Sequence, residues 1–332
     1  MGRVKLSRRG SRLSGGPPGE ARHHAASLGW QPIKGDSIAA NADLTSARRN
    51  PGPCEVEANL RSVSAADEGP PPFEVPPEPT AAERQVADLI QIETDPKTAA
   101  AVLERVPLWF HTFSLNASRE LYTRGVARDH RYRIPALPED LSDMSVLDIG
   151  TFDGFYAFLA EARGAARVVA VDNEQYREWI SSRWGVELKG GEGFAAIREL
   201  LDSEVEYRHL DAFDLDELAE TFDLILCFGI LHRVENPLGL LKILRRRLAG
   251  GGQVLLETHG PTDRALDSSA AVHIPEAGEV YARDDFVYWG FTPAGLDAMV
   301  RHAGFEGFEL IDAPVIDGHR RVIGALRCAS LG

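Results

Sequence analysis

Three cysteines, Cys54, Cys227 and Cys328, are all that the 332 residues contain. They lie too far apart for a disulfide framework or a zinc site, so a reducing compartment is the default expectation. No apolar run approaches the roughly 18 residues needed to cross a bilayer, and none has the core of a signal peptide. No segment repeats. Positive charge is scarce where the chain looks foldable: beyond residue 85 there are 25 Lys and Arg against 40 Asp and Glu. That balance argues against a protein that coats nucleic acid non-specifically, while leaving room for a local basic groove. What is present is a 44% apolar share, enough for a core in one large or two small domains. Together these features read as a soluble cytoplasmic protein with no membrane partner and no metal.

Residues 1–80 are rich in Gly, Pro, Ser, Ala and Arg, lack a periodic apolar pattern, and close on the proline run "EGPPPFEVPPEPT"; a disordered tail and linker is expected. The opening "MGRVKLSRRGSRLSGG" has the Arg and Ser bias of a transit peptide or a nucleic-acid-seeking arm. Without an amphipathic stripe, a solvated tail is the plainer reading. Residues 81–140 read as a helical extension, with amphipathic helices in "AAERQVADLIQI" and "TAAAVLERV" before the aromatic segment "LWFHTFSL". From 141 to 332 strands and helices alternate. Strand-like runs are "SVLDIG", "ARVVAVD", "VEYRHLD", "FDLILCF" and "GQVLLET", with helices beginning near Phe155, Tyr176, Glu192, Asp214 and Pro237. That order predicts an α/β fold, a doubly wound, mostly parallel sheet with helices on both faces. A long insertion, residues 259–289, precedes the helix "TPAGLDAMVRHAG". The last two strands, near 305–311 and in "RRVIGALRCA", are joined too closely for a crossover helix and should form an antiparallel hairpin at one sheet edge.

In such a sheet the ligand sits beyond the carboxyl ends of the strands. "VLDIGTFDGF", Val146 to Phe155, is placed there: Gly150 and Gly154 suit a tight turn and a close backbone approach. Asp148 discriminates among ligands. A pyrophosphate at ~4 Å from its carboxylate would be repelled by roughly 4 kcal/mol at an effective dielectric constant of about 20, whereas the ammonium and sulfonium of S-adenosyl-L-methionine would be attracted. No G-K-[ST] follows the glycines, so a nucleoside-triphosphate loop is absent. Asp172 ends the next strand, where an acid can accept from both ribose hydroxyls. Asp211 ends the third, within reach of the adenine amine. The plainer alternative for the last two is loop acids or helix caps.

On "VLDIGTFDGF", "VVAVD" and "FDLILCFGILHRVENPLGLLKILRRRLAGGGQVLLET" the chain resembles class I S-adenosylmethionine-dependent methyltransferases over about residues 105–330. Through "WFHTFSL", "FGILHRVENPL" and "LLET" it is most similar to the transfer-RNA wobble-uridine (5-hydroxyuridine) methyltransferases and carboxymethyltransferases. The resemblance implies a seven-stranded Rossmann-like sheet with one antiparallel strand. It also implies cofactor contacts from Asp148, Gly150, Thr151, Asp153 and Gly154 at the methionine end, Asp172 and Asn173 at the ribose, Asp211 and Ala212 around adenine, and Phe228 beside them. His232 stands where carboxymethyl-transferring members have a substrate-facing tyrosine, and Arg321 matches their arginine. His111 stands roughly where they have a lysine that binds the extra carboxylate. A titratable histidine in place of that fixed cation favours plain methyl transfer.

Phe152 replaces the superfamily's middle glycine, so a local rearrangement of the loop is expected. Methyl transfer from a sulfonium needs mainly positioning; His232 is the candidate to take a proton from a hydroxyl acceptor. Trp109 and Phe110 could stack on a base or fill the core. Arg119, Arg124, Arg128, Arg131 and Arg133 could follow a phosphate backbone. The acceptor on this reading is a modified uridine of transfer RNA. The alternatives are a small metabolite with the insertion as its lid, and a cofactor-binding scaffold without activity.

Overall fold

A computed structural model describes residues 74–328 apart from 174, 277, 282 and 283. The chain divides into units at residues 1–63 and 64–332, and only the second holds described residues. Most of the tail expected over 1–80 therefore lies outside them.

Seven strands carry the main sheet: β1 Ser145–Ile149, β2 Arg167–Asp172, β3 Glu206–His209, β4 Phe222–Phe228, β5 Leu248–Gly260, β6 Phe308–Asp312 and β7 His319–Arg327. They lie in the order β6-β7-β5-β4-β1-β2-β3, and a two-residue eighth strand, Val315–Ile316, pairs with β7. β1 to β5 are mutually parallel. β7 runs antiparallel to β5 and to the edge strand β6, giving the expected hairpin.

Alternation along each strand divides the apolar residues between the two faces. Val146, Val168, Ala170, Leu224, Leu226, Leu255 and Ile323 belong to one buried cluster; Leu147, Val169, Val171, Ile225, Cys227, Leu256 and Val322 belong to the other. Helices α3 Phe155–Ala162 and α5 Glu192–Leu201 cover the first face, and α6 Pro237–Arg247 and α7 Pro293–His302 the second. Each fully buried Val, Leu or Ile contributes about 1.5–3 kcal/mol, so the near-continuous apolar runs reflect burial on both sides. α4, Gln175–Trp184, follows β2.

Two regions differ from expectation. The helix expected near Asp214 is a single 3₁₀ turn, Leu215–Glu217. The connection must cross from edge strand β3 past β2 and β1 to β4, about 14 Å at the usual strand spacing. A helix rising only 1.5 Å per residue would use up the residues available between His209 and Phe222. The extension 81–140 is α-helical only in α1 Ala81–Ala87 and α2 Pro96–Arg105; Ser114–Asn116 and Leu121–Tyr122 then form a small antiparallel pair. Its Val86, Ile90, Trp109 and Phe113 enter the same cluster as α3 and α5, so it completes one face of the core.

The insertion leaves β5 and returns through Gly290–Phe291, which pairs with Val272–His273. Its start is pinned by Arg320, whose guanidinium donates to both Asp267 oxygens at 2.5 and 2.8 Å and to the Pro261 carbonyl at 3.2 Å. Tyr288 N–H donates to the His232 carbonyl, and Trp289 Nε1 to the Val234 carbonyl.

Candidate functional site

A cavity of about 780 Å³ opens beyond the carboxyl ends of β1, β2 and β4. The sheet's alternation puts its polar residues there. Stepping two residues on from Val146, Ala170, Leu226 and Leu255 gives Asp148, Asp172, Phe228 and Glu257, on the face that carries the first cluster. On antiparallel β7 the same face at the same end carries Arg321, two before Ile323.

The turn after β1 holds three left-handed residues, Gly150 (φ 70°), Phe152 (φ 51°) and Gly154 (φ 88°). A Cβ on Gly150 would lie 2.3 Å from Ile230 Cδ1, and one on Gly154 within 2.6 Å of the Phe158 and Phe194 rings. Phe152 corrects the expected rearrangement: it takes the left-handed conformation itself, at a cost of roughly 1–2 kcal/mol. Its N–H donates to Asp172 Oδ2 at 2.7 Å, and its ring centroid sits 5.2 Å from that of Phe110. These contacts hold the turn in the form a glycine would give it.

Of the expected cofactor residues, Asp148, Gly150, Thr151, Asp172, Asn173, Asp211, Ala212 and Phe228 line the cavity. Asp148 is 4% exposed and accepts from Thr151 Oγ1 at 2.7 Å. Burial pushes its carboxyl up to about 7, with neighbouring Asp172 and Asp153 adding to the rise. Burial likewise pushes Asp172 up to about 6, although the N–H groups of Asn173 and Phe152 donate to it. Asn173 Nδ2 donates to Asp211 Oδ2 at 2.6 Å, which ties the ends of β2 and β3 together. A cation placed among these carboxylates would relieve the cost of burying their charge.

Asp153 and Gly154 do not line the cavity. Asp153 is 1% exposed and accepts from Phe110 N and His111 N at 2.8 and 2.7 Å; its other oxygen is 2.6 Å from His111 Nδ1. It fastens the aromatic segment to the glycine turn. His111 lines the cavity with Nδ1 committed to Asp153, leaving only a buried, unpartnered Nε2. Trp109 belongs to the core, packed edge-on to Phe113, and Phe110 lines the cavity.

His232 also lines the cavity and is fully buried. Burial, with Arg233 and Arg321 nearby, pushes its imidazole well below the usual histidine range. Its Nδ1 accepts from the His259 N–H at 3.3 Å, with Thr258 Oγ1 at the same distance. A backbone N–H can only donate, so the neutral ring carries its proton on Nε2, which has no partner. In this tautomer the unpartnered nitrogen is a hydrogen-bond donor rather than the acceptor a base would present.

The other half of the cavity is aromatic and cationic. Arg321 holds its guanidinium 3.9 Å over the Tyr281 ring and 3.7 Å from Glu257 Oε1. Arg133 donates to Glu257 Oε2 at 2.7 Å. Burial raises the Glu257 carboxyl, but Arg133 and Arg321 outweigh it and hold the group below its ordinary value. Arg233 pairs with Asp284 and lies 4.6 Å over the Tyr176 ring. Tyr281, Phe286 and Tyr288 of the insertion and Trp179 and Trp184 of α4 complete the wall. Sequence reasoning missed Glu257 and Tyr281; the signal for the first was an acid at a core position of "VLLET". Of the arginine series, Arg119 is exposed and three others pair with carboxylates. Arg124 pairs with Glu78, Arg128 with Glu83 at 2.9 Å and Arg131 with Asp129 at 2.7 Å, while Arg133 is interior.

Among the described residues no group of three or more His, Cys, Asp or Glu could hold a metal ion, and no helix is long and apolar enough to cross a membrane.

The family model described as "Methyltransferase domain" matches residues 120–310. A tRNA U34 carboxymethyltransferase of Campylobacter hominis is 27% identical over 179 residues, covering 54% of this chain and 56% of the relative. One from Helicobacter pylori is 29% identical over 175 residues, covering 52% and 59%. The chain thus spans little more than half the length of these relatives. The crystal structure of Burkholderia thailandensis 1,6-didemethyltoxoflavin-N1-methyltransferase with bound 1,6-didemethyltoxoflavin and S-adenosylhomocysteine matches at TM-score 0.40 and 20% identity, over 57% of this chain and 72% of that one. With the match running through the glycine turn, the three acid-bearing strand ends and the insertion, the chain belongs to the methyltransferase-domain family.

Proposed function

We propose that the protein transfers a methyl group from S-adenosyl-L-methionine to a hydroxyl of a planar, base-like acceptor, in first place a modified uridine of transfer RNA, in the cytoplasm. The observation that carries the reading is one cavity with three carboxylates at one end and an aromatic wall with arginines at the other. Asp148 would pair with the ammonium of the methionine end, Asp172 would accept from the ribose hydroxyls, and Asp211 with Ala212 would border adenine. The cofactor supplies an activated methyl on a sulfonium, so this chain's residues have to position the acceptor and exclude water. His232 Nε2–H would orient the acceptor oxygen, Arg321 would meet its negative charge, and the ring of Phe110 would stack on its plane. Plain methyl transfer, rather than transfer of a carboxymethyl group, fits the commitment of His111 to Asp153. The names of the relatives support the RNA acceptor.

A second reading, a small-molecule acceptor, is favoured by the pairing of Arg124, Arg128 and Arg131 and by the insertion residues over the acceptor end. Incubation with labelled S-adenosylmethionine and separate pools of small RNA and metabolites tests both. Label in the RNA pool, with binding that weakens steeply in salt, supports the first; label in metabolites alone replaces it with the second.

A further inference from the structure

Methylation of a hydroxyl releases a proton, and the tautomer of His232 cannot take it. Two tyrosine–histidine pairs remain at the cavity. Tyr156 Oη lies 2.8 Å from His130 Nδ1, but the rings next to His130 are Phe155 and His111, and His111 Nδ1 is held by Asp153. Among the described residues no half-buried imidazole adjoins that pair to carry a proton onward. Tyr281 Oη lies 3.0 Å from His259 Nδ1. Tyr281 and the half-buried His319 line the cavity, their ring centroids 4.9 Å apart, while His259 stands behind them with its ring centroid 6.3 Å from that of His319. This pair joins the acceptor end to the edge of the cavity.

We propose that Tyr281 and His259 form the exit path for the acceptor's proton: the Tyr281 hydroxyl takes that proton as it passes its own to Nδ1 of His259. The inference rests on the methyl-transfer reading above and adds its proton route. In the balanced step the acceptor O–H bond breaks and its oxygen bonds to the methyl carbon. The S–CH₃ bond breaks, with its electron pair kept by sulfur. One proton moves from acceptor to Tyr281 and one from Tyr281 to His259, which releases it to water past His319.

The surroundings suit a carrier rather than a store. His259 faces Arg321, His319, His273, Glu257 and His232; burial first, then Arg321 and His319, push its imidazole down to about 4, so Nδ1 is free to accept at neutral pH and gives the proton up at once. Tyr281 faces Arg321, Arg233, Glu257, Tyr132, His232 and His319. Burial raises its phenol, while Arg321 against the ring face stabilises negative charge that develops during the transfer.

Two measurements on the full chain test the path. In single-turnover transfer from S-adenosylmethionine to an anticodon stem-loop bearing 5-hydroxyuridine, Tyr281→Phe and His259→Asn should each slow the reaction about 10- to 100-fold at pH 7, with affinity for S-adenosylhomocysteine changed less than about twofold. The double variant should be no slower than the slower single one, and the loss should shrink as pH rises and the acceptor arrives already ionised. Losses that add, or that are equal at every pH, overturn the path. Independently of any acceptor, nitrogen NMR of the wild type, assigned against His259→Asn, should show His259 neutral and protonated on Nε2 at pH 6. A proton on Nδ1, or a midpoint near the ordinary ~6.5, overturns it. A stem-loop left unmethylated by the wild type would count against the RNA acceptor alone, with NMR still deciding the proton route.

Discussion

Asp148 gives the sharpest prediction, because burial has moved its carboxyl into the physiological range. With a midpoint of about 7, the ionised fraction falls from about three-quarters at pH 7.5 to about one-tenth at pH 6. A ligand whose ammonium requires the carboxylate should bind about eightfold more weakly at pH 6, a loss near 1.2 kcal/mol, and should release close to one proton per molecule bound there. Asp172, at about 6, steepens the loss below pH 6 if the ribose hydroxyls need it ionised. The assay is calorimetry with S-adenosylhomocysteine in two buffers of different ionisation enthalpy, which counts protons directly. Asp148→Asn should bind about 10- to 100-fold more weakly at pH 7.5, the value of a hydrogen bond to a charged group, with only the roughly twofold pH dependence that Asp172 leaves across this window and no proton released by that position. A wild-type affinity that is flat from pH 6 to 7.5, with no proton release, would refute the electrostatic account of this turn.

The same carboxyl affects stability in the opposite sense. Its folded value is raised above the unfolded one, so its contribution is fully present below about pH 4 and lost as pH rises through about 7. Asp148→Asn should therefore stabilise the empty protein at pH 8, by up to about 4 kcal/mol, and do little at pH 4; equal shifts in melting temperature at both would contradict this. Glu257→Gln strands Arg133 in the interior and should cost about 3–5 kcal/mol in chemical denaturation; a loss under 1 kcal/mol would mean the pair is effectively solvated. Gly154→Ala combines a left-handed backbone with a Cβ driven into two phenylalanine rings, and a loss of about 2–4 kcal/mol is expected. Because three of the arginines before β1 are already paired with carboxylates, RNA binding should show a shallow salt slope, about two or fewer phosphates neutralised. A slope several-fold steeper would show that those pairs open on binding.

Much of this architecture was legible in the residue order, because local spacing controls it. The period-two runs set the strands and their two buried faces, and the same parity put Asp148 and Asp172 at the ligand end of the sheet. The glycine turn announced its own geometry, and the short link between the last two strands required a hairpin. Helix length near Asp214 was misjudged because composition favours a helix there, while the distance to β4 is a property of strand order.

The roles within the cavity were another matter. Asp153 looks like a ligand for the cofactor in the sequence, yet its partners are His111 and Phe110, more than forty residues earlier. Arg133 and Glu257 meet across 124 positions. The tautomer of His232 depends on a backbone N–H that only the neighbouring strand brings near. Periodicity and turn chemistry act over a few residues and are written in the chain; desolvation, charge pairing and proton placement depend on which distant groups share a buried space, and only the folded protein decides that.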